Sequence, residues 1–477
     1  YLRSGSIMKS PILAVFVALI PLPAFAHATG QGFVALLPTG PYMAFGVLIV
    51  ALSMILLWLL PQRPLSRMLP GVDLGAIAAP PWLRRATSLI SFIVLLWMLY
   101  QGFHGPSDPV ENALVMGFWV VFWMAAVMVQ GLVFDLWGWV SPWHWLDAPA
   151  RSGAGRKGGR FKPLFHLPTV FGVWPAVLLL VGFAGFTLAD PAPDDAARLA
   201  RAGLIYLVIT LVGCGVFGPR AWLRQVEVFS VLMRLITRLA PVARRGRRLR
   251  LGWHGHQLHQ GAGGYRGTAV LILVLLAVGS FDGLNETFFW LDHIGVNPLD
   301  HPGRTELVIP VLTGLGASVL GLIGVFMLIS IAGERLARDD LYGVSPSRMI
   351  TTLAPTVLPI ALAYHGAHYL PSLLVDGQYA LIIANDPLRN GADLLGLKGY
   401  YVTTGFFNNR DSMQMIWLTQ AGVIVLGHVL AVILAHASMV TLYQDRRRVF
   451  LAGLPLALFM IAYTWLGLWL LASPKAG

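Results

Sequence analysis

The stretch Val308-Ile-Pro-Val-Leu-Thr-Gly-Leu-Gly-Ala-Ser-Val-Leu-Gly-Leu-Ile-Gly-Val-Phe-Met-Leu-Ile-Ser-Ile-Ala-Gly333 runs for 26 residues without a charge. A helix of about 20 apolar residues crosses the hydrocarbon core of a bilayer, so this run predicts a transmembrane helix. Acidic Glu306 precedes it, and Glu334, Arg335 and Arg338 follow it. Outward from this run, nine further apolar stretches stand at 42–60, 87–103, 113–135, 170–188, 203–218, 268–284, 350–370, 413–441 and 449–472. The loops between the ten alternate in charge. Loops 61–86, 136–169, 219–267, 334–349 and 442–448 hold 25 of the 34 Lys and Arg, while the opposite loops and the C-terminal tail hold 7. Basic residues accumulate in cytoplasmic loops, so one rule orients every hairpin. The expected fold is all-α: a polytopic transmembrane bundle of ten helices, with the acidic loops and both mature termini outside.

Composition supports this reading and excludes others. The chain is 56% hydrophobic and 12% charged, with a mean hydropathy of +0.69, where soluble domains carry about 25% charged residues. The net charge of +12 does not point to nucleic acid, because ten Arg lie in the single loop 219–267. That cluster suits anionic inner-leaflet lipid, at about 1 kcal/mol per basic residue, or simply anchors the topology. At the N-terminus, Met8-Lys9, an apolar run from Ile12 to Leu22 and Ala24-Phe25-Ala26 form a signal-peptide pattern. The expected division is an upstream extension at 1–7, a signal peptide at 8–26 and one transmembrane domain at 27–477. The single cysteine, Cys214, excludes an internal disulfide.

Two inner loops carry patterns of their own. Trp137, Trp139, Trp143 and Trp145 open loop 136–169 and suit an interfacial aromatic belt. Val226 to Leu239 is amphipathic around Arg234 and Arg238, as expected for a helix lying in the interface. His254, His256 and His259 follow among glycines, a cluster that reads as solvated before it reads as metal-binding. In the seventh stretch, Gly314/Ser318 and Ala317/Gly321 form small-xxx-small pairs that predict close helix packing.

Ionisable groups in or beside the spans are costly and mark candidate sites. The sixth stretch ends with Asp282 and Glu286 at i and i+4, and the eighth ends with His365 and His368 at i and i+3. Both helices run outward, so their last turns reach one depth. Together the four side chains offer ligands for a transition metal such as zinc or copper, which could activate a water for attack on an ester. His27, freed by signal cleavage, would add an amine and an imidazole. The same residues also fit a structural role, in which the imidazoles bond backbone or water and the carboxylates face solvent. Loop 371–412, the longest outer loop, reads as a lid over this site. His428 and His436 lie about 12 Å apart along the ninth helix and have no matched partners for haem.

The run from Leu353 through Pro355, Pro359, Tyr364, His365, His368 and Tyr369, followed by Asp376, Gln378 and Asn385-Asp386-Pro387-Leu388, resembles a bacterial membrane family often labelled fenitrothion hydrolase. The start His27-Ala-Thr-Gly-Gln-Gly-Phe33 and the region Ser280–Pro302 resemble it as well. The resemblance implies hydrolysis of organophosphate-type esters in a bacterial inner membrane. No HExxH, GxSxG or P-loop accompanies it. The residues leave open a second class, a carrier or handling protein for a metal ion or small solute, and a third, a subunit or assembly factor of a membrane complex.

Overall fold

The computed structural model describes residues 39–59, 71–76, 81–147, 163–245, 248–259, 264–297, 304–338, 343–443 and 445–475. Ten apolar helices follow the ten predicted stretches: α1 (Thr39–Leu59), α2 (Pro81–His104), α3 (Ala113–Leu132), α4 (Trp174–Ala189), α5 (Ala196–Phe217), α6 (Thr268–Asn285), α7 (Arg304–Ala337), α8 (Pro346–Asn385), α9 (Arg410–Leu442) and α10 (Arg446–Ala472). Among the described residues nine of them are long and apolar enough to cross a membrane, and α4, with 16 residues, is apolar but shorter. The protein is an all-α polytopic bundle. His27 and the signal-like segment 8–26 lie outside the described residues.

The main core gathers buried side chains from α1, α3, α4 and α6 to α10, among them Val50, Leu180, Leu271, Phe326, Leu358, Val432 and Met460. A second core joins α2, α3 and α5 through Leu99, Leu114, Val120 and Ala200. Tyr369 of α8 packs against both. α8 and α9 are the most buried spans, while α1, α2 and α7 are the least. The outer spans turn large apolar side chains away from the protein, such as Phe45, Leu52, Ile93, Leu320 and Leu328. A helix bundle with apolar side chains both inside and out is matched to lipid, where the backbone is satisfied within each helix.

Close helix packing is real but differently placed from the expectation. A Cβ on Gly314 would lie 2.5 Å from the Trp290 ring and 2.6 Å from that of Phe281, so α7 meets α6 and its following turn there at a distance only glycine permits. A Cβ on Gly333 would lie 2.4 Å from the Ala452 carbonyl oxygen of α10. Gly316, Gly321 and Gly324 face open space. The Gly314 half of the predicted face packs, whereas Gly321 does not.

α8 also departs from its predicted end at residue 370. Residues Ala354–Val357 form a tight 3₁₀ turn at Pro355, the helix resumes at Leu358, and it then runs to Asn385 with Pro371 inside it. Proline at 371 cannot donate to the Ala367 carbonyl one turn back. Gln420 Nε2 of α9 donates to that carbonyl instead, at 2.7 Å, which explains why the helix continues. The loop between α8 and α9 is therefore Asp386 to Asn409 rather than 371–412. Asn385 Oδ1 accepts from Leu395 N at 2.7 Å, Asp386 accepts from Asn390 N and Gly391 N, and Arg389 pairs with Glu111 at 2.8 Å.

The described parts of the basic loops form a small sheet and short helices. Strands β1 (Val72–Ala76), β2 (Val242–Arg245) and β3 (Arg248–Leu251) form an antiparallel sheet in the order β1-β3-β2. The predicted interfacial helix exists as Val228–Ile236, but seven of its nine residues are buried. It lies within the protein because Leu232, Met233 and Ile236 join the main core. Trp143 is buried as well, and Trp137 Nε1 donates to Ser230 Oγ at 3.0 Å. Trp137 thus bonds this helix, while Trp143 packs in the second core and Trp145 against Phe92 of α2. His256 is buried, not solvated, and bonds the Trp253 carbonyl; His254 bonds that of Leu132.

Candidate functional site

Asp282 occupies the last turn of α6, and His368 lies near the middle of the Leu358–Asn385 part of α8. Their side chains meet: His368 Nε2 lies 3.1 Å from Asp282 Oδ2, with 14% and 16% of the side chains exposed. The two side chains come together, but His368 is not in the last turn of its helix as the sequence suggested. α8 then continues for roughly 25 Å beyond it, at 1.5 Å per residue.

A hydrogen-bonded chain extends from the pair. The Tyr369 hydroxyl donates to Asp282 Oδ2 at 3.3 Å and accepts from Trp123 Nε1 of α3 at 3.3 Å. His365 Nε2 lies 2.9 Å from the Trp123 carbonyl oxygen. A carbonyl only accepts, so this contact assigns the proton of His365 to Nε2. Trp123 belongs to Met116–Ala126, the part of α3 wound as a π-helix, a local form often found at functional positions. The Tyr364 ring stacks on His368 with centroids 5.8 Å apart, and Asn285 Nδ2 donates to the Asp282 carbonyl at 3.0 Å.

The remaining predicted residues are engaged elsewhere. Glu286, with 45% of its side chain exposed, pairs with Lys475 Nζ at 3.3 Å. The C-terminal tail folds back there, with Phe288 N donating to the Pro474 carbonyl at 3.1 Å. Among the described residues no group of three or more His, Cys, Asp or Glu is gathered closely enough to hold a metal ion. Asp282 and His368 come together, His365 joins through Tyr369 and Trp123, and Glu286 turns to the tail.

Sequence reasoning missed Tyr369, Trp123 and Lys475. Tyr369 sits beside His368 and one turn after His365, and a buried phenol or indole needs a partner for its polar atom. That requirement was the available signal. The pairing of Lys475 with Glu286 had none, because it depends on the tail returning to α6. Comparison of the chain with protein-family models, curated proteins and solved structures finds no match.

Proposed function

We propose that this membrane protein is a carrier or handling protein for a small cation, with the Asp282–His368 pair as its exchange site. The observation that supports the reading is a carboxylate between membrane helices that meets an imidazole at 3.1 Å and accepts from a phenol at 3.3 Å. Intramembrane ionisable groups are retained at ion pathways and proton relays. The pair holds one proton between Asp282 Oδ2 and His368 Nε2. A cation arriving on those atoms takes the proton's place, and the proton leaves to solvent, as metal binding to imidazole and carboxylate requires. In the proposed orientation the basic loops face the cytoplasm of a bacterial inner membrane, and the 219–267 arginines lie near anionic lipid.

The test is ion uptake by proteoliposomes loaded with a pH dye, using zinc, manganese and silver ions in turn. Uptake of one ion with matched proton release, lost in Asp282→Asn and His368→Gln, supports the proposal. Uptake unchanged in both variants sinks it. The hydrolase reading uses the same pair, with the Asp-oriented imidazole as a base on water. Turnover of an aryl phosphotriester by purified protein, abolished by Asp282→Asn, would favour that chemistry instead.

A further inference from the structure

At the opposite end of the bundle, a small cavity lies between α1, α9 and α10. Its volume is about 30 Å³, and its lining includes Met54 of α1, His436 and Met439 of α9, and Met460 of α10. His436 and Met439 stand at i and i+3, on one face of their helix. Exposure is 5% for Met54, 8% for His436, 1% for Met439 and 1% for Met460. His436 Nε2 is buried without a hydrogen-bond partner. A second space of about 430 Å³, lined by Trp58, His436, Asp445, Arg446, Arg447, Val449 and Phe450, shares Trp58, His436 and Val449 with the first. This second space adjoins the small cavity and is lined by Asp445, Arg446 and Arg447 near the loop that joins α9 and α10.

We propose that His436, Met439, Met460 and Met54 form a binding site for a soft monovalent cation, copper(I) or silver(I). Methionine often fills gaps in apolar cores, but a gap filler does not account for an imidazole nitrogen left unpaired at the same cavity, since buried polar atoms are normally bonded. The volume admits a single water or bare ion. A buried water needs two to four polar partners, and apart from His436 and the Trp58 indole this lining is apolar or thioether. A soft cation finds its partners in the same atoms, because thioethers favour copper(I) and imidazole also binds copper. The ligands bring no negative charge. A divalent ion would carry its full uncompensated charge into an apolar site, at far greater cost than a monovalent one. That argument separates copper(I) and silver(I) from zinc.

This site shares no residue with the Asp282 pair and does not depend on the function proposed for it. The test is titration of the purified full-length protein in detergent with silver ions, and with copper(I) against a chromophoric chelator. The expected result is one tightly bound equivalent, with nitrogen and sulfur neighbours in the X-ray absorption spectrum. Met439→Leu, Met460→Leu and His436→Leu should each weaken binding about tenfold or more, while zinc titrations stay unchanged. Leucine conserves volume and usually costs less than about 1.5 kcal/mol, so thermal unfolding should show all three variants folded. Asp282→Asn should bind silver as the parent does, which separates failure here from failure of the exchange site. Unchanged silver affinity in a folded Met439→Leu/Met460→Leu variant, or a shell of oxygen neighbours alone, overturns the proposal.

Discussion

The two ends of the bundle treat a buried histidine in opposite ways. At the α6–α8 end, His368 faces a carboxylate, and the chain continues through Tyr369 and Trp123 to His365. At the α9–α10 end, His436 Nε2 has no hydrogen-bond partner and stands among thioethers. One imidazole is held by the protein, and the other has its nitrogen free for something else. The difference teaches that burial alone does not define a polar site. What distinguishes the two is whether removing the imidazole leaves other groups without partners.

The largest expected effect is an all-or-none test of which end faces inward. In a Cys214→Ser background, Ser347→Cys in the first turn of α8 and Asp393→Cys on the loop after α8 are both exposed positions. An impermeant thiol reagent added to right-side-out cells should label Asp393→Cys and spare Ser347→Cys. The reverse pattern would invert the whole orientation, and labelling of both would break the hairpin map.

Next in size is the stability contrast between the ends. Asp282→Ala leaves His368 and Tyr369 without their acceptor, and breaking a buried pair costs about 3–5 kcal/mol. His436→Leu strands no partner and should stay within about 1.5 kcal/mol of the parent. Thermal or denaturant unfolding in one detergent measures both. Equal losses would erase the distinction.

A smaller effect concerns the element that carries His368. Gln420 supplies the donor that Pro371 lacks for the Ala367 carbonyl. Gln420→Leu should cost about 1–3 kcal/mol, the usual penalty for stranding a buried acceptor. Pro371→Ala restores the helical donor, so the double variant should recover most of that loss. If the two effects simply add, Gln420 does not serve this purpose.

The ten spans were legible because apolar runs and basic loops are local signals, visible without knowing any contact. The Asp282–His368 meeting was legible because helix direction converts sequence position into depth. Glu286 was not, since its partner Lys475 arrives from the chain's far end. Pro371 marked a helix end by local rules, and only a side chain on another helix overrode it. Likewise Met54, His436, Met439 and Met460 come from three helices, and no spacing in the sequence brings Met54 or Met460 to the other two.

The smallest effect tests a third buried polar centre, on the basic side but outside the spans. Glu227 caps the Val228–Ile236 helix, accepting from Phe229 N at 3.2 Å and Ser230 N at 2.7 Å, and it also accepts from the Tyr206 hydroxyl. Burial pushes its carboxyl above the usual range, and the bonds from Ser230 and Tyr206 only partly offset that. A carboxyl that holds its proton more tightly folded than unfolded contributes stability below its unfolded value, near 4.3, and loses it as pH rises through the folded value. Across that window the slope from one group is at most about 1.4 kcal/mol per pH unit. Glu227→Gln keeps an oxygen for the helix cap but cannot ionise. Its unfolding midpoint should therefore fall less than the parent's as pH is raised from the acid side, and identical pH profiles would show that Glu227 is ionised with full compensation in the fold. The outcome places Glu227 on one side of the contrast above: a polar group fully held by its neighbours, as His368 is, or one that the fold leaves partly uncompensated, as His436 is.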